Sequence, residues 1–240
     1  MTSTTVLTRP FTTIADLLLP LRCAGCEARG TALCTFCRHS IDPGGLGPGD
    51  HARGALPPTP ARRPESPAPI YAVTEYQGRA RTVLLAFKER DRRDLAQPLG
   101  QILAGTLLRI PDLAPARDGT WWLVPAPSRA SAARRRGGSH LLRLARATAK
   151  ALARFDEPAA VAPALRFAAG VRDSVGLDRA ARTANLAGRV RFRASAAPPP
   201  GTSVILLDDI VTTGATSAAC SRELNRVGRQ VRAVLALAAV

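Results

Sequence analysis

The sequence predicts an α/β protein: a parallel sheet flanked by helices, preceded by a small four-cysteine module. Three observations predict it. From Ile70 onward, segments that read as strands alternate with segments that read as helices, the pattern of βαβ units. Val204-Ile205-Leu206-Leu207 is an uninterrupted apolar run of the kind buried on both faces of a parallel sheet. Four of the five cysteines fall in one short window near the start of the chain, as two C-x-x-C pairs.

Taken in order, residues 1–41 read as an N-terminal helix followed by the cysteine module. Asp42 to Pro69 holds eight prolines and five glycines with little apolar periodicity, so it reads as a linker over 42–69. The domain proper is expected over 70–240. Ile70 to Tyr76 alternates loosely and predicts a strand; Arg79 to Arg90 and Leu95 to Leu108 predict helices. Trp121 to Val124 is a second strand, ended by Pro125-Ala126-Pro127. Leu141 to Phe155 carries the period of a basic amphipathic helix. Val204 opens a strand that runs up to Asp208 and Asp209, a small-residue turn and a helical pattern follow, and Gln230 to Val240 closes the domain as an apolar strand. No internal repeat is visible.

Cys23-Ala-Gly-Cys26 and Cys34-Thr-Phe-Cys37 stand seven residues apart. Each two-residue turn aims two sulfurs at one point, which suits a tetrahedral Zn²⁺ site closed by four thiolates. Gly25 and Gly30 ease the tight backbone of such knuckles. Disulfides and a redox C-x-x-C are the competing readings. A reducing cytosol disfavours the first, and two pairs so close together weaken the second. The expected role is structural or adhesive. His39 could substitute as a ligand, though an exposed histidine is the default. Cys220, among alanines, reads as a small buried residue.

Asp208 and Asp209 stand where a central strand should end, followed by Thr212-Thr213-Gly214-Ala215-Thr216. In an open α/β sheet, ligands sit outside the carboxyl ends of strands. Turn amides, the threonine hydroxyls and a helix N-terminus suit an anion, and Gly214 permits positive φ or a close backbone approach. Carboxylates repel phosphate but accept hydrogen bonds from vicinal hydroxyls. The ligand read from these residues is a sugar phosphate. A P-loop nucleotide site is excluded by the absence of Gly-Lys-Ser/Thr: the only lysines are Lys88 and Lys150.

The segment Val204–Thr216 resembles the 5-phosphoribosyl 1-pyrophosphate (PRPP) motif of type I phosphoribosyltransferases. The four-cysteine module joined to such a domain is similar to the layout of the ComF (ComFC/GntX) family. Phe87-Lys88, Val124-Pro125-Ala126-Pro127-Ser128-Arg129 with Arg136-Gly137, and Leu177 with Arg182, Asn185 and Leu186 resemble further family segments. Gly138-Ser139-His140 departs from the usual Phe-Asn-Gln, and Ser174 stands where Gln is common. The resemblance implies a type I phosphoribosyltransferase-like fold that binds PRPP with Mg²⁺. Asp208 and Asp209 would take the ribose diol, and Thr212, Thr213, Gly214, Ala215 and Thr216 the 5-phosphate. Ser128, Arg129 and, more weakly, Lys88 are candidates for the pyrophosphate contact, although a helix-surface lysine is the default reading of Lys88. No residue stands out as an essential acid or base.

The chain carries 34 basic against 18 acidic residues, a net charge of +16, which points to an anionic partner such as phosphate or nucleic acid. Arg134-Arg135-Arg136 and the run Arg143, Arg146, Lys150, Arg154 are the candidate surfaces for single-stranded DNA. No stretch approaches the ~18 apolar residues of a membrane span. The N-terminus lacks a basic n-region, and Asp16 and Pro20 interrupt its apolar run, so a cytoplasmic protein is expected. Three functions fit: a phosphoribosyltransferase with a nitrogenous acceptor, a PRPP sensor or single-stranded-DNA-associated protein, or an adaptor whose zinc module docks a partner. The resemblance adds a role in DNA uptake and natural transformation, beside a DNA-processing protein.

Overall fold

The computed structural model describes residues 21–44, 59–60, 66–128, 138–168 and 188–240. In chain order the elements are α1 (Thr35–Ile41), β1 (Thr59–Pro60), β2 (Ile70–Glu75), α2 (Gly78–Glu89), α3 (Ala96–Leu108), β3 (Trp121–Pro125), α4 (His140–Leu152), β4 (Ala159–Val161), β5 (Leu165–Phe167), β6 (Val190–Phe192), β7 (Ser203–Val211), α5 (Ala215–Arg226) and β8 (Gln230–Ala239). The expected N-terminal helix, Arg129, Arg134 to Gly137, Ser174, Leu177, Arg182, Asn185 and Leu186 lie outside the described residues. Among the described residues, no helix is long and apolar enough to cross a membrane.

The strands join in the order β1-β2-β8-β7-β3-β4. Five of them, β2, β8, β7, β3 and β4, are mutually parallel, and the two-residue β1 adds antiparallel at the β2 edge. A proline is tolerated there because an edge strand leaves one row of N–H groups unpaired. The range read as a linker therefore contributes an edge strand. β5 and β6 form a separate antiparallel pair.

Strands β7 and β8 occupy the middle of the sheet, and their composition explains why. Val204 to Leu207 and Ala233 to Ala238 are all buried, so neither face has room for a polar side chain. From β3 the chain moves outward to β4, whereas from β7 it moves the other way to β8. Neighbouring strands whose connections diverge open a crevice at their carboxyl ends. That crevice lies between the ends of β3 and β7, where Ala126 N–H donates to the Leu207 carbonyl at 2.8 Å.

Helices α3 and α4 approach closely because Gly100 faces Ala147. A Cβ at Gly100 would lie 2.6 Å from the Ala147 Cβ and 2.8 Å from the Thr148 nitrogen, so no larger residue fits without parting the helices. α4 is strongly amphipathic: His140, Leu141, Leu144, Ala145, Thr148, Ala151 and Leu152 face inward.

The cysteine module packs on this body. Cys23, Ala24, Leu33, Cys37 and Ile41 belong to the same apolar cluster as Val83 and Phe87 of α2 and Leu103 of α3. Arg79 Nη1 donates to the Gly25 carbonyl at 3.3 Å, Arg92 Nη2 to the Arg22 carbonyl at 2.6 Å, and Arg38 Nη1 to Gln101 Oε1 at 2.7 Å. Asp42, the first residue of the expected linker, forms a buried ion pair with Arg109 at 2.7 Å. A linker composition is legible from proline and glycine, but a long-range ion pair at its first residue is not.

Candidate functional site

Strand β7 runs on through the acidic pair to Val211 instead of ending at it. The backbone stays extended past the carboxylates because Val211 is buried and Ile210 and Val211 remain in register with Ala238 and Ala239 of β8. Asp208 and Asp209 are both buried. The turn from Thr212 to Gly214 follows; Gly214 has φ 79° and caps α5 at its N-terminus. That left-handed conformation strains any residue with a Cβ. Thr213 Oγ1 accepts from the Ala215 N–H at 3.3 Å, so one free amide of the first turn is already satisfied. Thr212 is exposed, Thr213 and Thr216 are half-buried, and Gly214 and Ala215 are buried.

Asp209 is the hub of the site. Its Oδ2 accepts from Lys88 Nζ at 3.0 Å and from His140 Nε2 at 2.8 Å. The ionised carboxylate only accepts, so the imidazole proton sits on Nε2. Burial alone would raise the Asp209 pKa, but the Lys88 ammonium and then His140 hold it well below the usual carboxylate range. Burial also works against the Lys88 ammonium, yet Asp209 keeps its pKa above the ordinary lysine value. Asp208 behaves oppositely: burial, reinforced by the Asp209 charge, pushes it up to about 7. Its Oδ1 accepts from the Asp209 N–H at 2.9 Å, and Ser217 Oγ approaches Oδ2 at 3.5 Å.

Lys88 is thus drawn to the acidic pair, against the default of a surface lysine. Helix α2 buries Phe87 in the core, and the adjacent Lys88 reaches Asp209 Oδ2 at the end of β7. Ser128 does not touch the carboxylates: its Oγ lies 2.9 Å from Ser139 Oγ, the N-cap of α4. His140 and Ser217 were missed as site residues. The signal for His140 in the sequence is its place in Gly138-Ser139-His140, where the chain departs from the Phe-Asn-Gln of the family it resembles. Ser217 sits one turn into α5, where nothing marks it. Cys220 is fully buried, and burial, with Asp208 adding to it, raises its pKa well above the free thiol value, so it stays an unreactive thiol.

The basic run from Arg143 to Arg154, on α4 and the 3-10 turn after it, divides. Arg146, Lys150 and Arg154 are exposed. Arg143 instead reaches Asp91 Oδ1 at 3.4 Å, across the loop between α2 and α3.

The four Sγ atoms of Cys23, Cys26, Cys34 and Cys37 all lie within 4.8 Å of one another, an arrangement that could hold a metal ion. Cys26 and Cys34 sulfurs are 3.6 Å apart. Gly25 is obligatory here: a Cβ would meet Cys37 Sγ at 2.7 Å. Cys34 caps α1, its sulfur accepting from the Cys37 N–H at 3.5 Å. Burial opposes ionisation of Cys23, but N–H groups of Cys34, Gly25 and Cys26 hold its thiol down to about 6. Burial and the neighbouring sulfurs push Cys37 up to about 12. Four thiolates this close are stable only around a cation, which removes the mutual repulsion that raises Cys37. His39 lies outside this cluster.

No protein-family model matches the chain, and no curated protein matches it.

Proposed function

We propose that the chain is a ComF-family, type I phosphoribosyltransferase-like protein that binds Mg²⁺ and PRPP at Asp208–Thr216 and carries a structural Zn²⁺ on its four cysteines. The observation that carries the reading is the sequence of groups at the end of β7. A buried acidic pair is followed by a threonine-rich turn whose Gly214, at φ 79°, opens α5. Carboxylates accept from a ribose diol, and the amides of the turn and helix start donate to a phosphate. For the metal centre, Zn–S bonds of about 2.3 Å put sulfurs about 3.8 Å apart in a tetrahedron, close to the 3.6 Å between Cys26 and Cys34.

In the transferase reading, an acceptor nitrogen bonds to the ribose C1 as the C1–O bond to pyrophosphate breaks, and the acceptor loses its proton. Positive charge builds on the sugar and negative charge on the leaving pyrophosphate, where a bound Mg²⁺ would supply neutralising charge. The protein contributes position and electrostatics. The acceptor has no signature in the residues described. Thermal shift with PRPP and Mg²⁺ tests the binding step: the ligand raises the melting midpoint by mass action, and Asp208→Asn with Asp209→Asn removes most of that rise. An equal shift in the double variant would overturn the assignment of the ribose to these carboxylates. Pyrophosphate release in the presence of a panel of bases then separates an enzyme from a silent PRPP sensor.

A second reading, a single-stranded-DNA-binding adaptor linked to DNA uptake, is favoured by exposed Arg146 and Lys150 on α4 and Arg154 in the 3-10 turn that follows it. Like charges at this spacing cost helix stability unless an anion compensates them. Affinity for a single strand should fall steeply with salt as counterions are released. Replacing the three by Gln should flatten that dependence and leave PRPP binding intact; a salt-insensitive affinity would reject the surface.

A further inference from the structure

Asp208 and Asp209 are adjacent on one strand, yet their surroundings divide their labour. Asp209 Oδ2 already accepts from Lys88 and from His140, and Oδ1 accepts from the Ile210 N–H at 2.8 Å. A carboxylate oxygen has two lone-pair directions, so Oδ2 is filled. These are charge-assisted bonds, and a sugar hydroxyl is a weak competitor for them. Asp208 Oδ2 has only the Ser217 hydroxyl at 3.5 Å, the outer limit of a hydrogen bond. Among the described residues no cation pairs with Asp208.

The imidazole that helps fill Asp209 is held by its own helix start and by a neighbouring ring. Ser139 caps α4 by accepting from the Leu142 N–H at 3.2 Å and is tied to Ser128, which fixes the helix start that carries His140. The edge of the Phe87 ring packs on the imidazole at 5.7 Å with 77° between planes. Phe87 precedes Lys88, so one helix supplies both the wall for the ring and the ammonium. The other nitrogen, Nδ1, is buried with no partner among the described residues. An unpartnered buried acceptor is costly, so the ring is oriented for the carboxylate at the expense of its own second hydrogen bond.

We propose that His140 is a positioning residue that commits Asp209 to Lys88, leaving Asp208 as the carboxylate that receives the ribose hydroxyls. This rests on the PRPP reading above. Asp209 then serves as the anchor of the site. It holds the Lys88 side chain, about one-third exposed, at the edge of the crevice where a polyanion would arrive.

The test is calorimetric titration of Mg²⁺-PRPP into wild type and folded variants, each checked for a cooperative melt. Losing a charged hydrogen bond to ligand weakens binding by about tenfold to a hundredfold, and Asp208→Asn should fall in that range. Asp209→Asn and His140→Leu should each cost less, by about the same factor, and the pair together no more than Asp209→Asn alone. His140→Gln, whose side-chain amide can still donate to Asp209, should restore most of what Leu removes. Nitrogen NMR on labelled histidine should report a proton on Nε2 in the wild type. Equal losses for the two Asp→Asn variants, or a Gln variant as weak as Leu, would overturn the proposal while PRPP binding stands. A wild type that binds no PRPP would instead remove the reading beneath it.

Discussion

Replacing Cys37 by Ser will unfold the cysteine module and lower the melting point of the sheet behind it. Cys37 is fully buried, lies under Gly25 and receives Arg79 Nη1 at 3.7 Å. With zinc on the four sulfurs as proposed, losing one ligand would forfeit most of the metal's contribution to folding, which is about 10–16 kcal/mol for structural zinc in small domains. The domain beyond Ile70 is expected to stay folded through this loss, but not at its full stability: Ala24, Leu33 and Ile41 leave the apolar cluster they share with Val83 and Phe87 when the module melts. The remaining domain should keep its fold but melt about 5–10 °C lower, the shift that ~2–3 kcal/mol produces in a chain of this size. Chelation of the wild type should reproduce both effects. Elemental analysis giving far less than one zinc per chain, or a sheet transition that ignores the chelator, would sink this account.

Asp208 sets the second large effect, a fall in stability as pH rises through the acid range. Its carboxyl is pushed up to about 7 in the folded protein by burial and by the Asp209 charge, against about 3.9 when unfolded. A raised acid binds more protons folded than unfolded. Its contribution is therefore fully present below about pH 4 and is lost as pH climbs through about 7, at up to about 1.4 kcal/mol per pH unit. Asp209, held low by Lys88 and His140, contributes the opposite way, since its stabilisation is present above about pH 4 and lost only in stronger acid. Between about pH 5 and 7 the Asp208 slope stands alone for this pair. Denaturant melts across that window should show the decline, and Asp208→Asn should remove it. A parallel decline in the variant would place the titrating group elsewhere.

Periodicity made most of the described elements legible. Apolar runs marked β7 and β8, and the amphipathic stripe from Leu141 marked α4, because burial on one or both faces leaves a local signature. The four cysteines were legible because metal geometry imposes spacing. His140 and the partner of Lys88 were not, since 69 residues separate His140 from Asp209 and no local pattern encodes that meeting. The edge strand at Thr59–Pro60 was hidden by its own proline, which argues against a strand wherever the position in the sheet is unknown. The docking of the cysteine module on α2 and α3 was hidden too. It depends on Arg79, Arg92 and Arg38, arginines that in sequence look like any other of the basic excess.

The order of the strands also bears on how the chain is made. A ribosome that has reached residue 200 has released β2, β3 and β4 but neither of the two strands that lie between them. β2 and β3 then have no hydrogen-bonding neighbour on their inner sides, β4 has only β3, and their apolar faces wait for residues 203–239. At ordinary elongation rates that wait is on the order of several seconds, long on the timescale of hydrophobic collapse. The nascent chain's exposure to chaperones is therefore concentrated before residues 203–239 emerge, and those residues deliver the acidic pair and the middle of the sheet in a single event.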